Sequence, residues 1–197
     1  KLLADAFEAL MRRAPQLAEA AVASDREIDR LERQLQERVI QLVAKRQPMA
    51  NDLRHIMTVL KIVGDLERVG DLAKNIAKRA LAVAGDTHPR PLMNGIGHMA
   101  EQALRQLKDV LDAFGTRDSA KALTVWKGDE RLDALYNSVF RELLTYMMED
   151  PRNIGLCTHL LFAAKNLERI GDHTTNIAEN IHYLVTGKPI EEERPKG

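Results

Sequence analysis

The hexapeptide Leu66-Glu67-Arg68-Val69-Gly70-Asp71 returns 101 residues later as Leu167-Glu168-Arg169-Ile170-Gly171-Asp172. In each copy the same Asn-Ile-Ala follows, at Asn75–Ala77 and Asn176–Ala178. Upstream, Asp25-Arg26-Glu27-Ile28-Asp29 returns as Asp129-Glu130-Arg131-Leu132-Asp133 at an offset of 104, so the stretch between the motifs is three residues longer in the first copy. Self-similarity at such a spacing means one structural unit built twice. Mapping Pro91 back by the same offset falls roughly 14 positions before Lys1, so the first unit is expected to lack the start of its first helix. Leu2, Leu3, Ala6, Phe7 and Leu10 already carry helical spacing, as expected of a chain that begins inside a helix.

Between Pro15, Pro48, Gly115, Gly128, Pro151 and Gly187 the apolar residues recur at three- and four-residue steps, and no segment alternates with period two. The spacing predicts helices over about 1–13, 15–46, 48–84, 91–114, 117–149 and 151–186. Pro15, Pro48 and Pro151 are placed at helix starts, where a missing N–H costs nothing, with Asp150 as an N-cap. The fold class is all-α, two tandem three-helix bundles: residues 1–85, residues 86–187, and a charged tail 188–197, of which residues 191–196 are expected to be disordered. The turn-rich Gly85–Pro91 joins the halves.

Composition excludes several functions. Twenty-nine basic residues balance 29 acidic ones and aromatics are 4%, so there is neither a basic surface nor a stacking ladder for nucleic acid. No apolar run reaches the roughly 20 residues of a membrane span, and no signal peptide is visible. The single cysteine, Cys157, cannot form an internal disulfide, which suits a reducing, aqueous compartment.

The repeated motifs place carboxylates four apart, and hence on one helix face, at Asp25 and Asp29, Glu67 and Asp71, Asp129 and Asp133, and Glu168 and Asp172. If each second and third helix fold back at Pro48 or Pro151, Asp25 stands level with Asp71 and Asp29 with Glu67. In the other half, Asp129 stands level with Asp172 and Asp133 with Glu168. Each cluster lies roughly 30 Å from its hairpin tip at about 1.5 Å per residue. The apolar stripes are Leu17, Ile28, Leu31, Leu35, Val39 and Leu42; Ile62, Leu66, Val69, Ala73, Ile76 and Ala80; and Ala163, Leu167, Ile170, Ile177, Ile181 and Leu184. Glu67, Asp71, Glu168 and Asp172 point away from their stripes while Asp25 and Asp29 flank theirs, so the acids are read as surface groups lining an open groove.

Like charges about 6 Å apart repel by roughly 0.7 kcal/mol per pair even in water, so each cluster needs a counter-ion. Arg26, Arg68, Arg169 and Lys74 are candidates, but Thr175 stands where the first copy has Lys74, and Glu179 where it has Lys78. The second cluster is therefore the better metal candidate. All-oxygen donors favour hard cations such as Mg²⁺, Mn²⁺, Ca²⁺ or ferric iron, with zinc less natural. Gly70 and Gly171 cost about 1 kcal/mol each inside helices, which points to a close approach, whether of an ion or of a packed neighbour.

Catalysis has no evident seat. Glu179-Asn180-Ile181-His182 is only half of a ferritin-like di-iron set, no phosphate-binding loop or nucleophile elbow occurs, and Cys157 reads as a packed thiol. Leu167-Glu168-Arg169-Ile170-Gly171-Asp172, the downstream Asn-Ile-Ala, and Thr145-Tyr146-Met147-Met148-Glu149-Asp150-Pro151-Arg152 together resemble the PhoU family. The resemblance covers essentially the whole chain and implies a cytoplasmic, commonly dimeric regulator of bacterial phosphate uptake. It implies repression of the phosphate-starvation response, through contacts with the ATPase subunit of the phosphate ABC transporter and with a phosphate-sensing histidine kinase. Contact with the membrane would run only through those complexes, and no nucleic acid is involved. It also implies iron or other metal clusters on the acids Asp25, Asp29, Glu67, Asp71, Asp129, Asp133, Glu168 and Asp172. The alternatives are a ferritin-like carboxylate-bridged metal enzyme and a helical adaptor that holds no metal.

Overall fold

Pro15 opens the first of two long helical hairpins in a computed structural model that describes residues 1–86, 90–192 and 194. The helices are α1 (Leu2–Arg12), α2 (Pro15–Arg46), α3 (Asn51–Ala82), α4 (Arg90–Thr116), α5 (Ser119–Lys127), α6 (Asp129–Glu149) and α7 (Ile154–Thr186). There is no strand among the described residues. Thr87, His88 and Pro89 of the expected linker, and residues 193 and 195–197 of the tail, lie outside them.

Local chemistry sets the boundaries. Asp118 caps α5 by accepting from the Lys121 N–H at 2.9 Å, and the Asp150 carboxylate accepts from the Arg152 N–H at 3.0 Å above a single 3₁₀ turn, Pro151–Asn153. Two boundaries differ from those read in the sequence. Pro48 does not start a helix: Gln47 closes α2 in the left-handed conformation, at φ 45°, and α3 begins only at Asn51. A proline just past a C-cap, where the helix cannot continue, produces this arrangement. The expected helix 117–149 is two helices, because the Gly128 N–H closes α5 on Val125 O at 3.0 Å before α6 starts.

α3 and α7 pack along each other at the centre, with α1 and α2 against α3 and with α4, α5 and α6 against α7. The two halves do not keep separate cores. One cluster runs from Leu2, Ala6 and Leu10 through Ala73 and Ile76 to Leu132, Leu143, Leu160 and Ile170. A smaller one joins Ile62 of α3 to Val110, Trp126, Ile177 and Ile181. Asp65 on α3 and His173 Nδ1 on α7, 2.9 Å apart, add a polar tie between the halves.

The stripe expected on α7 is buried throughout, and that on α3 is buried except for the half-buried Leu66. The α2 stripe is not: Leu31 is 52% and Leu42 44% exposed. In the second half the corresponding face is covered, with Val139, Leu143, Cys157 and Leu160 buried beside α4. Among the described residues no helix is long and apolar enough to cross a membrane.

Candidate functional site

The hairpin register read from the sequence holds at its inner pairs. Lys74 Nζ donates to Asp25 Oδ2 at 2.5 Å and to Asp71 Oδ1 at 2.6 Å, so α2 and α3 present these acids at one level. In the second half Asp129 and Asp172 share one guanidinium, that of Arg194. Its Nη2 donates to Asp129 Oδ2 at 2.7 Å and to Asp172 Oδ1 at 2.8 Å, and its Nε to Asp129 Oδ2 at 3.0 Å. Both expected bridges between helices are therefore present, each closed by a side-chain cation.

At the other pairs, Glu67 sits beside Asp71 and Arg68, and the charge of Glu32 on α2 also reaches it. Asp29 is half-buried on α2, and its main-chain carbonyl accepts from Arg33 Nε at 3.2 Å. In the second half the charges of Asp172 and Asp133 both reach Glu168, whose carboxylate is paired with Lys165 at 2.7 Å. Among the described residues no group of three or more carboxylates, imidazoles or thiols is gathered as a ready ligand set.

Exposure corrects one expectation. Asp25 and Asp129 are not surface groups but are 3% and 2% exposed. The reason lies in the repeated glycines. A methyl group at Gly70 would lie 3.0 Å from Ile28 Cδ1 and 3.4 Å from Asp25 Oδ1; at Gly171 it would lie 2.5 Å from Leu132 Cδ2 and 3.4 Å from Asp129 Oδ1. The missing side chain lets the neighbouring helix approach and sinks the first aspartate of each motif over the glycine backbone. Close approach here is thus both apolar packing and carboxylate placement.

Electrostatics follow from burial and partner. Hydrogen bonds that Lys74 donates to Asp25 and then to Asp71 push its ammonium well above its ordinary range, and the same bond from Lys74 holds Asp71 below the usual carboxylate value. Burial, then the Asp71 charge, pushes Glu67 up; burial likewise pushes Glu168 up against the pull of Lys165. Burial alone would lower Arg194, but its hydrogen bond to Asp129, and the charges of Asp129 and Asp172, carry it upward. Each bridged pair therefore holds its cation firmly, while burial favours the protonated form of Glu67 and of Glu168.

Two residues at the second cluster were not foreseen. Arg194 belongs to the tail expected to be disordered; instead residues 188–192 return past α5 and α7, with Ile190 packed on the smaller core and Glu192 3.5 Å from Lys127. Gln106 of α4 is 5% exposed; its Nε2 donates to Gly128 O at 2.9 Å, and its Oε1 has no donor among the described residues. That oxygen would lie 3.6 Å from a methyl at Gly171, on the same side as Asp129. A signal for Gln106 existed: the 104-residue offset pairs it with Leu2, so a polar residue stands on an apolar stripe. Nothing in the pattern marks Arg194.

The half-motif Glu179–His182 is spent on structure. Glu179 Oε1 accepts from Trp126 Nε1 at 2.9 Å, and His182 Nδ1 lies 2.8 Å from Ser119 Oγ. Cys157 is buried, and burial pushes its thiol up. These groups are not arranged as a di-iron or nucleophilic centre.

The profile of the PhoU domain matches residues 1–80 and 96–181. The phosphate-specific transport system accessory protein PhoU homologue of Rhizobium meliloti strain 1021 is 56% identical over 196 residues, which is 100% of this chain and 83% of that protein. The corresponding homologue of Caulobacter vibrioides is 52% identical over 98% of this chain and 84% of its own length. Among solved structures, PhoU from Pseudomonas aeruginosa superposes with a TM-score of 0.92 at 39% identity, covering 95% of this chain and 90% of that one. The phosphate transport system regulatory protein PhoU from Streptococcus pneumoniae gives 0.88 at 28% identity, over 97% and 89%. With the duplicated helical unit, the level acid pairs and these matches together, the chain belongs to the PhoU family.

Proposed function

We propose that this chain is a regulator of phosphate uptake that works by binding rather than by catalysis. It contacts the ATPase subunit of a phosphate ABC transporter and a phosphate-sensing histidine kinase, and keeps the starvation response off when phosphate is plentiful. The observation that carries this reading is the match over nearly the whole chain to proteins named as accessory to phosphate-specific transport. A regulator of this kind works on the cytoplasmic side of the transporter, where the ATPase lies, and as a dimer. In a bacterium encoding it, deletion should leave phosphate-scavenging genes switched on in rich phosphate. Unchanged repression in the deletion strain would refute the reading.

The acid clusters enter as regulated cation sites. Their donors are oxygens only, and the partnerless Gln106 Oε1 beside Asp129 adds a neutral oxygen of the kind a hard cation accepts. Asp129, Asp133, Glu168 and Asp172 would hold such an ion in the second half, and Asp25, Asp29, Glu67 and Asp71 in the first. An ion there would supply the positive charge that Arg194 and Lys74 otherwise provide, tying two helices of a hairpin together. Elemental analysis should find Mn²⁺ or iron in purified protein, and changing Asp129, Asp133, Glu168 and Asp172 together to Ala should lower that content. Unaltered content would refute the site.

A further inference from the structure

We infer that residues 188–192, with Arg194 beyond them, form an internal strap whose guanidinium occupies the second acid cluster, and that a hard cation binds there only by displacing it. The inference rests on the cation-site reading above and adds to it a competitor carried by the chain itself. Three observations support it.

The first is substitution by position. In the first half the bridging cation is Lys74, on the same helix as Asp71 and fixed three residues beyond it. The equivalent residue in the second half is Thr175, which is 1% exposed and whose hydroxyl donates to Gly171 O at 3.0 Å. No ammonium can reach the second cluster from that helix position. The charge comes instead from 22 residues beyond Asp172, on a segment that follows the αL turn at Gly187. A counter-ion on a core helix stays tethered within reach of its acids unless the helix unwinds; one on a strap can leave by a few loop rotations.

The second is the quality of the seat. Asp129 is 2% exposed, and a carboxylate that deeply placed is strongly destabilised unless paired. Arg194 meets it with two hydrogen bonds, meets Asp172 with a third, and has Nη1 3.5 Å from Asn176 Oδ1. Among the described residues, the strap is held elsewhere by the packing of Ile190 beside Trp126 and by the exposed Glu192–Lys127 pair.

The third is what Arg194 leaves undone. Gln106 Oε1 stays without a donor although a guanidinium lies next to its neighbour Asp129, and a buried carbonyl oxygen without a partner costs free energy. A compact cation between Asp129 and Gln106 would use that oxygen; the planar guanidinium does not. Arg194 bonds one carboxylate oxygen of Asp129 and one of Asp172, and leaves Gln106 Oε1 to a second kind of occupant.

The test compares wild type with Arg194→Ala and Arg194→Lys by equilibrium dialysis against Mn²⁺, and follows cleavage at Glu191 and Glu192 by a Glu-specific protease. If the strap covers the cluster in about nine molecules of ten, removing its cation tightens Mn²⁺ binding about tenfold, since apparent affinity scales with the competent fraction. Arg194→Lys falls between. Adding Mn²⁺ to wild type accelerates cleavage in the strap, and Gln106→Leu, which copies the first half's Leu2, weakens Mn²⁺ several-fold in the Arg194→Ala background. Equal Mn²⁺ affinity in wild type and Arg194→Ala, with binding lost when the four second-half acids become Ala, overturns the strap and leaves the cation site standing. Absence of Mn²⁺ binding in every variant overturns both.

Discussion

Replacing Lys74 by Met isolates the energetics of the first cluster, because the apolar stem is kept and only the ammonium is removed. Lys74 Nζ lies 2.5 Å from Asp25 and 2.6 Å from Asp71, and the Asp25 side chain is 4% exposed, so the substitution leaves a buried carboxylate facing a second one. Removing one partner of a buried pair costs about 3–5 kcal/mol. The lower end applies, since Asp71 is 32% and Lys74 22% exposed and water can reach part of the site. A loss of about 3 kcal/mol lowers Tm by roughly 6–12 °C in a chain of this length. Thermal melts at neutral pH in chelator give the first reading, and a double-mutant cycle with Asp25→Asn gives the second. The cycle should return a coupling of about 2 kcal/mol, because a neutral amide at position 25 no longer needs the ammonium. A coupling below about 0.5 kcal/mol would show that the bridge adds nothing beyond an exposed ion pair, and would refute the argument from burial.

The same bridge sets a pH dependence. Asp71 is held below its ordinary value of 3.8 by Lys74, so its stabilising share is present above that value and is lost as pH falls through the depressed one; the Tm gap between wild type and Lys74→Met should shrink between pH 7 and pH 3. The glycines supply a graded series by chemical denaturation. At Gly64 of α3 a methyl meets nothing within 4 Å, so Gly64→Ala should stabilise by about 0.5–1 kcal/mol through helix propensity. Gly70→Ala should be near neutral, because Ile28 is only partly buried and can yield a few tenths of an ångström. Gly171→Ala should destabilise by about 1–3 kcal/mol, because Leu132 is fully buried and 2.5 Å away. Any other rank order refutes the claim that the repeated glycines are there for close approach.

Much of this was legible because it is local or repeated. The helical periods, the Asp150 cap and the antiparallel register all follow from short-range spacing, and the register alone brings Asp25 to Asp71 and Asp129 to Asp172. Burial of the first aspartate in each motif was not legible. Asp25 and Asp129 flank the apolar stripe on a helical wheel, and only the missing Cβ of Gly70 or Gly171 on the facing helix draws them inside. The exposure of Leu31 and Leu42 was not legible either, because the periodicity of α2 marks an apolar face but not what covers it. Arg194 is least legible of all, as a lone arginine among acids whose position depends on a turn and a packed Ile190.

Duplication gave both halves the same problem, a carboxylate sunk beside a glycine with a second acid one helix away, and the two copies solve it at different mobility. In the first half the cation is a lysine whose backbone is fixed in α3, so its ammonium stays within reach of both acids and ties α2 to α3. In the second half the lysine position is a buried threonine, and the cation arrives on a segment outside the bundle. The electrostatic need is the same in both, but the free energy required to empty the seat is not. In the first case the Lys74 side chain can rotate aside but its helical backbone keeps it beside the acids as a competitor, whereas in the second the segment that carries Arg194 can move away with it. A cation offered to the whole molecule therefore fills the second cluster first, and Lys74→Met should bring the first cluster into the same range of Mn²⁺ concentration. Mn²⁺ stoichiometry by dialysis, rising from one cluster to two on that single substitution, checks the comparison; an unchanged stoichiometry would mean that Lys74 is not what keeps the first cluster closed.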